Sequence, residues 1–183
     1  MCDFGKIREE INLIEVENLV KKYGSLTAVD DLSMKIEPGH IYGLLGKNGA
    51  GKTTTMNMVT GYIGATSGRV KEAEAAKKEI GYLPEIPPLY TDMSVYEYLD
   101  FCAELKGIGK KERDEHIVDV MEKAGISEME QRLIRNLSKG YKQRVGLAQA
   151  ILGNPSIIIL DEPTVGLDPV QMIEMRDLLK ELG

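Results

Sequence analysis

A segment in the first third of the chain has the residue types and spacing of a phosphate-binding loop. It runs from Gly46 to Thr53 and fits the pattern GxxxxGK[ST]. Glycines let the backbone turn tightly, so that successive N–H groups and a helix N-terminus point at one anion. In this pattern the lysine reaches the β- and γ-phosphates and the last hydroxyl binds Mg²⁺. We therefore expect a nucleoside triphosphate with Mg²⁺, and the expected contacts are Gly46, Asn48, Gly49, Ala50, Gly51, Lys52, Thr53 and Thr54.

Two adjacent carboxylates follow a short apolar run later in the chain. The run Ile157–Leu160 is rich in β-branched residues and predicts a fully buried parallel strand. Asp161 comes directly after it, where a carboxylate beside a phosphate loop would hold Mg²⁺. The next residue, Glu162, could polarise an attacking water as general base. Taken alone, an exposed strand end explains the pair about as well, and only the phosphate loop favours a metal site.

The elements that would position these residues are both strands and helices, and we expect an α/β fold. Strands are expected at Leu13–Val16, Ser33–Ile36, Ile41–Leu45, Ile80–Leu83 and Ile157–Leu160. Helices are expected from the phosphate loop to about Thr60, from the capping box Ser94-x-x-Glu97 through Leu105, over Lys111–Ala124, from Ser138 onward and over Val170–Glu181.

Composition indicates one soluble globular domain. The 183 residues are 43% hydrophobic and 28% charged, and no apolar run approaches the roughly 20 residues of a membrane helix. The net charge of −6 argues against a nucleic-acid partner. Cys2 and Cys102 are too few for a disulfide framework. Residues 1–11 have no apolar core, so we expect a charged extension and no secretory signal.

Between the two sites lies Leu137–Arg144, whose sequence LSKGYKQR resembles the LSGGQ signature of ATP-binding cassette (ABC) ATPases. From about Ile14 to Glu181 the motifs also stand in that family's order. Tyr23 resembles the aromatic residue that stacks on adenine. Without the phosphate loop that follows it, a surface aromatic at a strand end would be the favoured interpretation. Asp168, at the end of Val165-Gly166-Leu167-Asp168, resembles the D-loop carboxylate.

The resemblance implies a P-loop NTPase core with a mainly parallel sheet, a small N-terminal antiparallel β part and an inserted helical subdomain. Residues 12–85 and 156–183 would form the core lobe, and residues 86–155 the helical and signature subdomain. In the family, two such ATPase domains bind two ATP molecules head to tail. Ser138 and Gly140 of one domain would then contact the γ-phosphate held by the other.

The implied partners are therefore a second ATPase domain and an integral membrane permease subunit. The expected function is ATP binding and hydrolysis that drives export, from the cytoplasmic face of the cell membrane. We expect Ile86–Asn136 to contact the permease, with Val95, Tyr96, Tyr98 and Leu99 as candidates of which at least two pack in the core.

Glu85 is a departure from the family pattern, which has glutamine at this position. Its carboxylate could still bind Mg²⁺ or the attacking water. Lys52, Glu85 and Glu162 are thus the candidate catalytic residues, and Thr53, Glu85 and Asp161 are the candidate Mg²⁺ ligands. Members with Glu here resemble exporter ATPases. In the signature, Lys139 replaces a glycine and Tyr141 the glutamine.

Two stretches are shorter than the family pattern leads us to expect. The segment from Gly68 to Ile80 is short for the usual hairpin, and the sequence ends at Gly183 before the strand that carries a switch histidine. The resemblance therefore predicts a C-terminally truncated cassette that binds MgATP but hydrolyses it poorly.

Two other functions remain open. One is a soluble ABC ATPase of DNA maintenance or translation, whose long heptad arms or second cassette the sequence lacks. The other is a nucleotide-gated binding module without turnover.

Overall fold

The computed structural model describes residues 14–37, 39–71 and 80–182. The chain divides into two compact units, one ending at Lys77 and one beginning at Lys78. The expected extension at residues 1–11 lies outside the described residues, as does most of the short segment before Ile80. Each unit contains both strands and helices, which agrees with the predicted α/β class.

The first unit is a small antiparallel sheet followed by one helix. Its elements are β1 (Ile14–Tyr23), β2 (Leu26–Ile36), α1 (Lys52–Val59) and β3 (Ser67–Lys71). The strand order is β2-β1-β3, with both pairs antiparallel. The small antiparallel part is thus as predicted. β1 and β2 are longer than expected because they form one hairpin that pairs from Ile14 opposite Ile36 to Tyr23 opposite Leu26.

The strand expected over Ile41–Leu45 is not formed, so that prediction is wrong. Residues 41–45 have no strand assignment, and the side chains of Ile41 and Leu45 are 76% and 94% exposed. A strand of an all-parallel sheet is buried by hydrogen-bonded neighbours and covering helices. Among the described residues, the three strands of this unit pair only with one another. Within the described residues of this unit, the apolar run Ile41–Leu45 therefore has no strand beside it to pair with, and it does not form a strand.

The described residues of the second unit form a parallel strand pair, four helices and two short 3₁₀ turns. In chain order these are β4 (Ile80–Leu83), α2 (Val95–Leu105), α3 (Arg113–Lys123), the turns Ser127–Met129 and Ile134–Asn136, α4 (Lys139–Ile151), β5 (Ile157–Leu160) and α5 (Pro169–Leu182). β5 is parallel to β4, as predicted, but its side chains are only half-buried. The reason is that β4 is its one hydrogen-bonded neighbour within the described residues.

Side-chain hydrogen bonds cap two of the helices of this unit, α2 at its start and α4 at its end. Ser94 and Glu97 form the predicted capping box, with Ser94 N–H donating to Glu97 Oε2 at 2.8 Å and Glu97 N–H to Ser94 Oγ at 3.2 Å. Such a cap stabilises a helix by about 1 kcal/mol. At the C-terminal end of α4, the ammonium of Lys106 donates to the carbonyls of Gln149, Ala150 and Leu152 at 3.2, 3.4 and 2.6 Å.

The helical segment Ile86–Asn136, which was expected to contact the permease, packs most of its apolar side chains inward. Val95, Tyr98 and Leu99 are buried, so core packing is confirmed for three of the four residues named as permease contacts. Tyr96 is partly exposed, and its hydroxyl donates to Asp114 on α3. Among the described residues, no helix is both long and apolar enough to cross a lipid bilayer.

A close backbone approach holds β4 against α4. A Cβ added to Gly81 would lie 2.2 Å from the carbonyl oxygen of Ala150 and 3.0 Å from Cγ of Pro155. Real Cβ atoms do not approach so closely, so a larger residue would push the strand away from the helix. Glycine thus allows β4, and through it β5, to lie directly on the helix that begins with the signature.

Candidate nucleotide-binding site

The phosphate loop closes around the side chain of its lysine. Lys52 is the first residue of α1, and its ammonium donates to the carbonyls of Gly46 at 3.0 Å and Lys47 at 3.3 Å. The amide of Ala50 donates to the Lys47 carbonyl at 3.1 Å and closes the turn. The cation therefore lies over the loop, within reach of an anion that the loop would hold.

Gly51 joins this turn to the helix, and its conformation requires glycine. Its φ is 89°, in the left-handed region, and a Cβ would stand 2.3 Å from the carbonyl oxygen of Ala28 on β2. The turn is thus pressed against the sheet. Lys52, Thr53 and Thr54 follow as the first turn of α1, which carries no acidic residue. The positive end of the helix is therefore not neutralised locally, as an anion site needs.

The other predicted contacts in this unit are accessible. Gly46, Asn48, Gly49, Ala50 and Thr53 are exposed. Tyr23, at the end of β1, is 51% exposed, and the Lys21 ammonium lies 5.1 Å from its ring centroid. An accessible ring of this kind could stack on a base. Adenine stacking by Tyr23 stays a prediction.

The second unit gathers three predicted carboxylates at one edge of its parallel strand pair. Leu83 at the end of β4 is opposite Leu160 at the end of β5. Glu85 follows the first strand, and Asp161 and Glu162 follow the second, so all three come after the carboxyl ends of paired strands. The amide of Asp161 continues the pairing by donating to the Leu83 carbonyl at 2.9 Å.

Asp161 and Glu162 are adjacent in the chain but differ in environment. Asp161 is 1% exposed, and its Oδ2 is buried without a hydrogen-bond partner in the part of the chain that the structure describes. A buried carboxylate oxygen left this way fits a ligand for a cation such as Mg²⁺. Glu162 is exposed and has a φ of 49°. This left-handed backbone costs about 1–2 kcal/mol for a residue with a Cβ, and it turns the chain sharply after the strand.

Mg²⁺ is commonly held by one or two carboxylates together with substrate phosphates. Among the described residues there is no group of three or more His, Cys, Asp or Glu side chains that could hold a metal ion. The structure shows Glu85 exposed in the loop after β4. A shared Mg²⁺ site of Thr53, Glu85 and Asp161 stays a prediction.

The signature segment begins α4. Ser138 is its N-cap, and the Ser138 Oγ accepts from the amide of Tyr141 at 3.3 Å. Ser138 is exposed, whereas Gly140 is buried. A Cβ on Gly140 would stand 2.6 Å from Oε1 of Gln171 on α5. Gln171 therefore covers Gly140 on this side, and a contact of the Gly140 main chain with a phosphate stays a prediction.

Asp168 has a structural role that the sequence reasoning did not assign. Its Oδ1 accepts from the amides of Val170 at 3.0 Å and Gln171 at 2.9 Å, which caps α5. An aspartate followed by Pro169 at the first helical position is a recognisable capping signal. Gln171 was also missed, and no local pattern marks it, because its contact with Gly140 joins distant parts of the chain.

A family model described as ABC transporter matches residues 29–165. The chain belongs to the ABC transporter family. This match confirms the resemblance drawn from the motifs. Together with the solved structures described below, it also confirms the predicted P-loop NTPase fold.

Among curated ABC relatives, the uncharacterized ABC transporter ATP-binding protein YxlF of Bacillus subtilis is 40% identical, over 93% of this chain and 59% of the relative. The bacitracin transport ATP-binding protein BcrA of Bacillus licheniformis is also 40% identical, over 93% of this chain and 58% of its own length. The chain thus spans about three-fifths of the length of these two relatives.

Two solved structures of ABC proteins are similar in fold. The dimeric MJ0796, a bacterial ABC transporter cassette, has a TM-score of 0.83 and 25% identity, over 92% of this chain and 82% of that chain. CbiO1 from Clostridium perfringens, part of the ABC transporter complex cbiONQ, has a TM-score of 0.79 and 30% identity, over 92% of this chain and 72% of that chain.

Proposed function

We propose that the chain is the ATP-binding and hydrolysing part of an ABC transporter, which drives export through a separate membrane-spanning partner. The observation that carries this proposal is the phosphate loop, with the Lys52 ammonium bound over the Gly46 and Lys47 carbonyls at the start of α1. When ATP binds, Lys52 exchanges these neutral acceptors for β- and γ-phosphate oxygens, which as anions form stronger hydrogen bonds.

The carboxylates of the second unit differ in burial, and we assign metal binding to the buried one and proton transfer to an exposed one. Asp161, whose Oδ2 is buried without a partner among the described residues, would be one ligand of Mg²⁺, and the Thr53 hydroxyl is the other that we propose. A Mg²⁺ ion held in this way would neutralise charge on the phosphate oxygens. Glu162 is exposed and accepts a proton from the attacking water as general base. Glu85 orients that water or adds an oxygen to the metal.

We propose that a second ATPase domain completes the site. Ser138 and Gly140 of one domain would donate to the γ-phosphate bound by the other, and Asp168 would lie at the same interface. The dimeric state of the similar MJ0796 cassette supports this arrangement.

An integral membrane permease is the second proposed partner. The names of BcrA and of the lantibiotic transport ATP-binding protein SrtF of Streptococcus pyogenes, 34% identical over 92% of this chain and 74% of the relative, support a transport role. We propose that residues 86–155 form the helical subdomain and that Ile86–Asn136 contacts the permease on the cytoplasmic face of the membrane. Ile86 and Tyr90, exposed by 80% and 55%, offer apolar area for that contact.

The first test replaces Lys52 with alanine. Loss of a charged hydrogen-bond donor costs about 1.5–3 kcal/mol, so ATP affinity should fall by roughly ten- to a hundredfold. Lys35→Ala on β2 is the matched control, because it removes the same charge outside the loop. Titration with a fluorescent ATP analogue measures both. Equal affinities would show that the loop does not bind phosphate.

The second test concerns turnover. In the full-length protein, Glu162→Gln should retain ATP binding and slow hydrolysis by about 10²-fold, the usual effect of losing a general base. Glu181→Gln, on the exposed end of α5, is the control for the loss of a carboxylate. Hydrolysis at the wild-type rate in Glu162→Gln would assign the base to another group.

A further inference from the structure

Lys139, which stands where the ABC signature has a glycine, contacts the D-loop of the same chain. A Cβ added to Gly166 would lie 2.1 Å from Nζ of Lys139, 2.6 Å from its Cε and 2.9 Å from its Cδ. The outer half of the lysine side chain therefore lies across Gly166. The φ of Gly166 is 74°, so both the backbone and the lysine exclude a side chain there.

A second contact ties the same two segments together. The side chain of Gln171 fills the space beside Gly140, and its Oε1 accepts from the amide of Asp168 at 3.4 Å. Asp168 in turn caps the helix that carries Gln171. Each contact thus joins one residue of the signature to one of the D-loop. Lys139 contacts Gly166 directly, and Gly140 is joined to Asp168 through Gln171.

A third link continues along the two helices. The guanidinium of Arg144 on α4 is 15% exposed, forms an ion pair with Glu174 on α5, and donates to the carbonyl of Ala124 at 3.2 Å. The first two turns of α4 and the first two turns of α5 are therefore fixed to each other at successive levels, with Lys139 at the end nearest the D-loop.

We propose that Lys139 is a positioning residue that holds the D-loop, Val165–Asp168, in register with the signature of the same chain. The inference rests on the proposed function, in which Ser138 and Asp168 meet a second ATPase domain together. Two loops held at a fixed spacing can engage that domain without an ordering cost at association. Lys139 acts through the D-loop, so the ATP affinity of the phosphate loop does not depend on it.

Kinetics of the full-length ATPase separate this role from a general structural one. We expect Lys139→Gly to lower kcat by a factor of about ten, within the range that coupled contacts give, while ATP affinity in the non-dimerised protein changes by less than about twofold. Lys139→Met keeps the aliphatic stem over Gly166 and should recover most of kcat. Lys142→Met, a neighbouring lysine on the same helix, is the control. The proposal would be overturned if kcat is unchanged in Lys139→Gly, or if ATP affinity falls by the same factor as kcat.

A double-mutant cycle in unfolding tests the contact itself, whether or not the protein hydrolyses ATP. Gly166→Ala in the wild type must displace Lys139, whereas in Lys139→Gly it meets only the backbone strain. The shift in denaturation midpoint caused by Gly166→Ala should therefore be smaller in the Lys139→Gly background. Equal shifts would show that Lys139 does not lie on Gly166, and the proposal would fail. If the cycle is coupled but wild-type protein shows no ATPase, the function proposed above fails instead, and with it the role in dimer assembly.

Discussion

Asp161 allows stability and function to be changed in opposite directions by one isosteric substitution. Its carboxylate is 1% exposed, and Oδ2 has no partner among the described residues. Leaving a buried charged group unsatisfied costs about 1–3 kcal/mol or more. Asp161→Asn removes the charge but leaves a neutral amide that is also unpaired, so part of the cost stays. We expect the metal-free protein to become more stable by about 1–2 kcal/mol.

The assay is thermal unfolding with and without MgATP. For a chain of this size, 1 kcal/mol changes Tm by about 2–4 °C, so Asp161→Asn should raise the Tm of the metal-free protein by roughly 2–8 °C. With ligand at 100 times its Kd, the wild type gains about 2.7 kcal/mol by mass action. The variant gains much less, because its Mg²⁺ ligand is weaker, and the order of the two Tm values should reverse.

Glu162→Gln is the matched control, since it makes the same chemical change at the exposed neighbour. Its Tm without metal should stay within the effect of about 0.5 kcal/mol that is usual for surface substitutions. If Asp161→Asn lowers the Tm of the metal-free protein, the carboxylate has a stabilising partner, and the argument that it is held ready for a cation is wrong.

Three further predictions follow from single contacts. Gly51→Ala would clash with the Ala28 carbonyl and strain the backbone, so we expect a loss of about 1–3 kcal/mol in denaturant unfolding and a weaker ATP titration. Lys106→Met removes three hydrogen bonds at the end of α4. It should cost about 1–3 kcal/mol, since relief of the desolvation that lowers the pKa of Lys106 offsets part of the loss. The hydrogen bond to Asp114 raises the pKa of Tyr96 to about 12; its contribution to stability is therefore present below pH 10 and lost between pH 10 and 12, and Tyr96→Phe should flatten alkaline unfolding in that window. A free energy of denaturant unfolding that is unchanged in either of the first two variants, or an unaltered alkaline slope in the third, would contradict the respective contact.

The features predicted correctly from the sequence depend on residues close together in the chain. The capping box of Ser94 and Glu97 involves residues within one turn, so the pattern specifies both hydrogen bonds. The helix expected after the GxxxxGK[ST] motif also forms, beginning at Lys52, and it depends on a local pattern in the same way. Phosphate binding by the loop stays a prediction.

The features that were missed depend on residues far apart. Ile41–Leu45 has the composition of a buried strand, but strand formation depends on neighbours that a local pattern does not describe. The burial of Gly140 by Gln171 and the contact of Lys139 with Gly166 join segments that only tertiary packing brings together. The unpaired oxygen of Asp161 is likewise a property of the surroundings and not of the residue type.

The parallel pairing of β4 with β5 also has a consequence for the order of folding. Helices α2, α3 and α4 all lie between these strands in the chain, so the pair closes a long loop whose entropy cost must be met before its hydrogen bonds form. The helices and their caps involve local contacts and can form earlier. During synthesis, the edge that carries Glu85 and Asp161 would therefore assemble only after the signature helix has been made and packed. A substitution that slows helix packing would delay the appearance of Mg²⁺-dependent binding even where the final stability of the protein is unchanged.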